Sequence, residues 1–200
     1  MENNKYKLTN NTKELYGKVL YQIKALKSFG NIDKNELGGY IEKEANLSSS
    51  GDAWVSGNAW VYGNAWVYGN ASVYGNACVS GDACVSGDAC VYGDAWVSGN
   101  ACVSGNAWVY GNASVYGNAS VYGDACVSGD ACVYGSINFE FGRCFGSKGK
   151  DWNVTELTNG EEILLIKDYK SSTKIEVKEM TVNEVSKLLG YEIRKGKKDE

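Results

Sequence analysis

Residues 51–68 read GDAWVSGNAWVYGNAWVY, which is three consecutive copies of the pattern G-[N/D]-A-x-V-[S/Y]. The pattern continues without an insertion to Tyr134, so that fourteen hexads follow one another. Within a hexad, A-x-V alternates with a period of two, which is typical of a short strand with Ala and Val on one side and x on the other. Gly and Asn or Asp supply the turn that follows. A short strand and a corner, repeated in this way, predict a β-solenoid.

The number of hexads in one coil follows from which side chains would stack. Three hexads make a triangular coil of about 18 residues, in which equivalent side chains of successive coils lie roughly 4.8 Å apart. At that spacing no corner Asp falls on another Asp, and each outward Trp of the array meets only Ser or Cys. Both patterns favour three hexads per coil. Like charges placed directly opposite repel, and at this spacing no indole is stacked on another indole. Stacked Asn side chains are expected to form amide ladders along the corners.

The array differs from its flanks in charge. No Lys or Arg occurs from Glu44 to Glu140, where the formal charge is −8, whereas the flanks together carry +4. Such a change in charge indicates a domain boundary on each side of the array. Residues 39–50 keep the hexad frame loosely and are predicted to lead into the first coil.

We therefore predict three parts of the chain. Residues 1–38 form an N-terminal β cap, residues 39–140 form the repeat solenoid, and residues 141–200 form a C-terminal cap with a small α+β domain. Caps are expected because each end of a solenoid exposes unpaired strand edges. In the last part, Thr181 and Glu184 have the spacing of a capping box, which predicts a short helix.

The repeat V-[S/Y]-G-[N/D]-A-x resembles the hexapeptide repeat of left-handed β-helix proteins, in which an aliphatic and a small residue alternate inward. The resemblance implies an all-β solenoid, a left-handed triangular parallel β-helix with about 18 residues per coil. The flanking segments YQIKALKSFGNI (21–32) and TVNEVSKLLGYEIRK (181–195) are similar to those of uncharacterised bacterial and prophage proteins with this repeat. That similarity implies a phage or mobile-element origin.

The same resemblance raises the question of catalysis. Many hexapeptide-repeat proteins are acyltransferases that use a His as general base, and a carbonic anhydrase branch binds its metal through His. This chain has no His, so neither arrangement is available, and we predict no catalytic residue, no cofactor and no enzymatic activity. Six of the seven Cys lie in the outward x position, where their spacing does not fit a thiolate zinc site, and no metal site is predicted. Only Cys84 and Cys102 stack on adjacent coils, where they would be able to bridge under oxidising conditions.

Aromatic side chains on the outer surface are the candidate ligand- or partner-binding residues. Exposed indoles usually mark contacts, and three explanations stay open for them: self-association, packing beneath the N-terminal cap, and binding of a separate partner. Three tyrosines on one corner would form a ladder that either stabilises the corner or holds a planar ligand such as a nucleobase or a sugar. The candidates are Trp54, Trp60, Trp66, Trp96, Trp108, Tyr74, Tyr92 and Tyr110.

These observations predict a non-catalytic scaffold or binding protein, phage- or mobile-element-encoded. It would act by forming a homo-oligomer, a trimer being the form familiar in this architecture, and by recognising a host protein or a small nucleotide-like signalling ligand. A degenerate hexapeptide acyltransferase and an acidic mimic of nucleic acid stay open as alternatives. No targeting or membrane-spanning segment is visible, and the odd number of Cys predicts reduced thiols in a cytoplasmic protein. Binding to nucleic acid is not expected.

Overall fold

The chain folds into a parallel β-solenoid of about six turns with about 18 residues per coil, and the predicted fold class is confirmed. In the described residues the one helical element is a 3-10 turn at Glu44–Asn46, and no helix is long and apolar enough to cross a membrane. The left hand of the solenoid stays a prediction from the resemblance. The computed structural model describes residues 4–136, 138–140, 142–146, 152–156, 163–167 and 178–180.

Short strands follow one another along the array, one in each hexad. An antiparallel hairpin and a third strand precede them, and longer strands follow them. The strands are β1 Tyr6–Leu15, β2 Lys18–Ala25, β3 Leu37–Ile41, β4 Trp54–Val55, β5 Trp60–Val61, β6 Trp66–Val67, β7 Ser72–Val73, β8 Cys78–Val79, β9 Cys84–Val85, β10 Cys90–Val91, β11 Trp96–Val97, β12 Cys102–Val103, β13 Trp108–Val109, β14 Ser114–Val115, β15 Ser120–Val121, β16 Cys126–Gly129, β17 Cys132–Val133, β18 Asn138–Phe139, β19 Arg143–Gly146, β20 Trp152–Glu156, β21 Ile163–Lys167 and β22 Lys178–Met180.

The strands stack into three flat walls. Wall 1 contains β4, β7, β10, β13, β16 and β19, and β20 to β22 extend it; wall 2 contains β5, β8, β11, β14 and β17, with β1 to β3 at its other end; wall 3 contains β6, β9, β12, β15 and β18. Within the array each strand pairs in parallel with the strand three positions later, so that Trp60 lies beside Cys78, a step of one coil. The predicted count of three hexads per coil is therefore confirmed.

The bore of the solenoid is filled by the Ala and Val of each hexad. From Ala53 to Val133 none of these side chains is more than 5 % exposed. Successive coils are joined by backbone hydrogen bonds along every wall; for example, Trp60 N donates to Ala77 O at 2.9 Å. The alternation of A-x-V thus places the apolar pair inward and leaves the x residue on the outer surface, as predicted.

The corners are closed by glycine and by ladders of polar side chains. Gly87 has φ +67°, and a Cβ added there would lie 2.9 Å from Gly105 N on the next coil, so both the backbone and the space require glycine. Asn side chains donate to the residue one coil later, but the acceptor is mostly an Asp carboxylate, so the predicted amide ladder between Asn side chains is present only in part: Asn76 Nδ2 lies 2.9 Å from Asp94 Oδ1. The same contact joins Asn64 to Asp82, Asn70 to Asp88, Asn100 to Asn118, Asn106 to Asp124 and Asn112 to Asp130.

The first coil is two residues longer than the repeat predicts. Ile41 pairs with Val61 and Leu47 bridges to Val67, an offset of twenty residues in both cases. The expectation that residues 39–50 keep the hexad frame is therefore wrong by two positions. The physical reason is burial, because the expected frame would place Lys43 at a valine position in the bore, whereas the observed register gives the valine positions to Ile41 and Leu47, which are 0 % and 2 % exposed.

The last described coil is one residue shorter. Cys126 pairs with Arg143, an offset of seventeen, and this register buries Cys144 above Val127. Phe139 takes a valine position on wall 3, beside Val121, and is 2 % exposed. Arg143 consequently lies on the outer surface of wall 1. The helix predicted at Thr181 lies outside the described residues.

Candidate functional site

The five outward tryptophans of the array divide into two that are covered and three that are exposed. Trp54 is 4 % exposed and Trp60 is half-buried. The other three lie on different walls, Trp108 on wall 1, Trp96 on wall 2 and Trp66 on wall 3, and each is 46–49 % exposed. Position in the repeat is the same for all five, so the neighbours of each indole decide whether it is available to a partner.

Trp54 is covered by the N-terminal cap. Its ring lies edge-on to Phe29 and Tyr6, with centroid distances of 5.4 and 6.4 Å. Gly38 packs against it so closely that an added Cβ would be 2.7 Å from Trp54 Cζ2. Its Nε1 is buried and has no acceptor among the described residues. Of the three explanations left open for the indoles, packing beneath the cap is the one that holds for Trp54.

The three corner tyrosines form the predicted ladder. The rings of Tyr74 and Tyr92 are parallel within 1° with centroids 4.8 Å apart, and those of Tyr92 and Tyr110 are parallel within 5° at 5.0 Å. These spacings are too short for a ligand ring to enter between two tyrosines, because two stacked contacts need about 7 Å. A planar ligand can therefore use only the edges of the ladder or the outer face of its terminal ring.

A cleft lies on wall 1 where this ladder ends. The residue that follows Tyr110 in the corner row is Ser128, so no tyrosine continues the ladder there. Beside it, Trp108, Cys126 and Arg143 occupy successive rungs, and the small thiol between two long side chains leaves an open cleft of about 460 Å³. We name this the wall 1 cleft. It is lined mainly by Asn106, Trp108, Tyr110, Asp124, Cys126 and Arg143.

The aromatic side of the wall 1 cleft is continuous with the ladder. Trp108 lies edge-on to Tyr92, with centroids 6.1 Å apart and an interplanar angle of 77°. Tyr110 Oη lies 3.8 Å from Cys126 Sγ on the floor of the cleft. Burial raises the pKa of Tyr92, so its phenol is neutral at pH 7. The structure thus brings four predicted candidates together: Tyr74, Tyr92, Tyr110 and Trp108.

The polar side of the cleft carries one charge of each sign. Arg143 and Asp124 are both exposed. Asn106 Nδ2 donates to Asp124 Oδ1 at 2.9 Å, which holds the carboxylate through one of its two oxygens. A guanidinium offers donors and a carboxylate offers acceptors. Beside an indole, this set is suited to a flat ligand that has both kinds of hydrogen-bonding group and no net charge.

Sequence reasoning missed Arg143, Asp124 and Asn106 as site residues. The sequence does contain one signal for Arg143: it is the first basic residue after Lys43, at the end of a long stretch without Lys or Arg. The pairing of Arg143 with Cys126 was not predictable, because the hexad pattern ends after Gly135 and the last coil is one residue short. Asp124 and Asn106 gave no signal, because both occupy the [N/D] position that every hexad has.

The other two exposed indoles have different surroundings. Trp66 stacks on Tyr68 at 4.2 Å, and Trp96 Nε1 donates to Ser80 Oγ at 3.3 Å. Neither Trp66 nor Trp96 lines the wall 1 cleft. Within the part of the chain that the structure describes, no three Cys, Asp or Glu side chains lie close enough to hold a metal ion.

Comparison with protein families agrees with the solenoid. A family model described as the YdcK beta solenoid repeat matches residues 53–69 and 95–111. The chain is similar to that repeat. Each matched segment begins at an inward Ala and runs through almost one coil, so the similarity concerns the unit that builds the walls. No curated protein matches the chain.

Proposed function

We propose that this β-solenoid is a non-catalytic recognition scaffold that binds a small, neutral, ring-shaped ligand, a sugar or a nucleobase, in the wall 1 cleft. The observation that carries the proposal is that an exposed indole, Trp108, and the terminal ring of the ladder, Tyr110, line one cleft together with Asp124 and Arg143. Aromatic faces stack on the planar rings of nucleobases and on the C–H faces of sugar rings, and the two charged groups orient the polar edges of either ligand.

The charge of the array favours a neutral ligand. Residues 44–140 carry −8 with no base among them, and Arg143 is the one cation in the cleft lining. A ligand with several phosphates would meet the negative potential of the array, and Asp124 would offset much of the attraction to Arg143. Nucleoside triphosphates and acyl-CoA are therefore expected to bind more weakly than uncharged nucleosides or oligosaccharides.

The experiment is a titration of intrinsic fluorescence and a thermal shift with guanosine, maltotriose, ATP and acetyl-CoA as probes. Binding in the cleft predicts that a neutral probe stabilises the wild type and that Trp108→Ala and Arg143→Gln each lose this effect. Trp96→Ala is the matched control, because Trp96 is equally exposed but lies on wall 2. Equal loss in Trp96→Ala, or stabilisation by none of the four probes, contradicts the proposal.

Self-association is a second candidate, favoured by the presence of one exposed indole on each wall. Apolar aromatic groups exposed at this level are typical of interfaces, and a homo-oligomer such as a trimer would cover them. Light scattering on the wild type and on the double variant Trp66→Ser/Trp96→Ser tests it. Trp54 and Trp60 are unsuitable for this test, since both are partly or wholly covered. A monomeric wild type contradicts it.

The remaining expectations are carried forward as parts of this proposal. A cytoplasmic location and a phage or mobile-element origin rest on the sequence features given above, and a host protein is the macromolecular partner expected from them. A degenerate acyltransferase is less favoured because the chain has no His to act as its base. An acidic mimic of nucleic acid is less favoured because five of the six corner Asp of the array accept a hydrogen bond from an Asn and are spread over three corners.

A further inference from the structure

One outward cysteine has surroundings that the others lack. Five outward cysteines each follow a tyrosine by sixteen residues, which places a phenol beside the sulfur: Cys78, Cys84, Cys90, Cys126 and Cys132. Tyr68 Oη, for example, lies 3.4 Å from Cys84 Sγ. Within the described residues, Cys84 alone of these five also has a thiol in register on the next coil, Cys102 on wall 3. The described in-register neighbours of the other four are Trp, Ser or Arg side chains.

The groups around the Cys84 sulfur favour its ionised form. Hydrogen bonding from Cys102 is the largest influence, and Tyr68 and Ser86 add to it; together they outweigh burial and lower the Cys84 pKa from 9.0 to about 6. Cys102 keeps the shared proton, and its pKa is raised. Cys78 and Cys90 show the opposite shift, because burial raises the pKa of both thiols.

We propose that Cys84 is the reactive thiol of this protein, a site of covalent modification by small soft electrophiles of the peroxide class. Its sulfur is half-buried on the outer surface of wall 3, where a small reagent has access. The thiolate attacks one oxygen of hydrogen peroxide; an S–O bond forms, the O–O bond breaks, and the leaving hydroxide takes up a proton to become water. Cys84 is oxidised to a sulfenic acid and the peroxide is reduced.

The same geometry disfavours direct closure of a Cys84–Cys102 disulfide. Both are free thiols in the structure. Side chains in register on adjacent parallel strands are about 4.8 Å apart, whereas a disulfide needs Cβ atoms about 3.5–4.5 Å apart. The pair is therefore built to share a proton, and Cys102 acts as a positioning residue that stabilises the Cys84 thiolate.

The test is the rate of alkylation of each cysteine by iodoacetamide between pH 5 and 9. Chymotryptic peptides and tandem mass spectrometry are suitable, because the array has no Lys or Arg for trypsin. The larger thiolate fraction of Cys84 is partly offset by the lower nucleophilicity of an acidic thiol, so Cys84 is expected to react roughly fivefold faster than Cys90 at pH 7 and roughly twentyfold faster at pH 6. Trapping with dimedone after peroxide treatment should label Cys84 first.

Three variants separate activation from simple exposure. Cys102→Ala removes the donor and should move the Cys84 rate profile toward higher pH, Tyr68→Phe should do so to a smaller extent, and Cys90→Ala should leave it unchanged. Circular dichroism confirms that each variant is folded. The proposal is overturned if Cys84 reacts no faster than Cys90 at pH 6, if Cys102 is labelled first, or if Cys102→Ala leaves the Cys84 profile where it was.

Discussion

Replacement of Trp54 and of Trp96 by Ala tests how the structure assigns roles to identical repeat positions. Both residues stand between Ala and Val in the same slot, but Trp54 is 4 % exposed beneath the cap and Trp96 is 46 % exposed. Removing a buried Trp side chain costs about 3–5 kcal/mol, because the transfer free energy is lost and a cavity stays behind. Removing an exposed one changes stability by about 0.5 kcal/mol or less.

Urea denaturation followed by far-ultraviolet circular dichroism gives both free energies of unfolding. Trp54→Ala is expected to lower the free energy of unfolding by at least about 2.5 kcal/mol more than Trp96→Ala. Trp54→Phe is expected to recover most of the loss, since a Phe ring keeps contact with Phe29 and removes an indole N–H that is buried without an acceptor. Equal losses for the two Ala variants would refute the placement of the N-terminal cap over Trp54.

Three further predictions concern the corners and the cap. Asn76→Asp places a carboxylate against Asp94, so it should lower the free energy of unfolding by about 1 kcal/mol at low salt and by less at high salt. Asn118→Asp is the control and should leave the free energy of unfolding unchanged, because Asn100 can donate to the new carboxylate. Gly87→Ala should cost more than about 2 kcal/mol and Gly135→Ala about 1 kcal/mol, since both have positive φ but only Gly87 also meets the next coil; thermal unfolding ranks the two. Burial lowers the pKa of Lys5 from 10.5 to about 8, so protonation costs the folded state, and the free energy of unfolding should rise between pH 8 and 10.5 in the wild type relative to Lys5→Met. A wild-type profile parallel to that of Lys5→Met would contradict the burial of this ammonium group.

The fold of the array was predictable from its sequence because each hexad contains the residues that determine its own strand and its own corner. A-x-V sets which side chains enter the bore, Gly and Asn or Asp set the corner, and stacking at one-coil spacing sets the number of hexads per turn. Local pattern and global fold agree in every repeat, which is the condition under which sequence reasoning works best. The ladder of Tyr74, Tyr92 and Tyr110 followed from the same periodicity.

The ends of the solenoid were not predictable in the same way. The two-residue shift before Trp54 and the one-residue shift before Arg143 depend on which side chain is buried in a coil that has lost its repeat. The loss of Trp54 from the surface depends on contacts with Tyr6 and Phe29, which are distant in the chain. The wall 1 cleft combines both effects, because it exists only where Ser128 ends the ladder and the shortened coil brings Arg143 over Cys126.

The two ends of the rod extend different walls. The hairpin of β1 and β2 extends wall 2, and β20 to β22 extend wall 1. Because one circuit returns the backbone to the same wall, inserting or deleting a whole circuit would leave both attachments unaltered and change only the distance between them, in increments of about 4.8 Å. The molecule therefore has the geometry of a spacer whose length changes in whole coils, since duplication of one coil lengthens it and deletion of one coil shortens it.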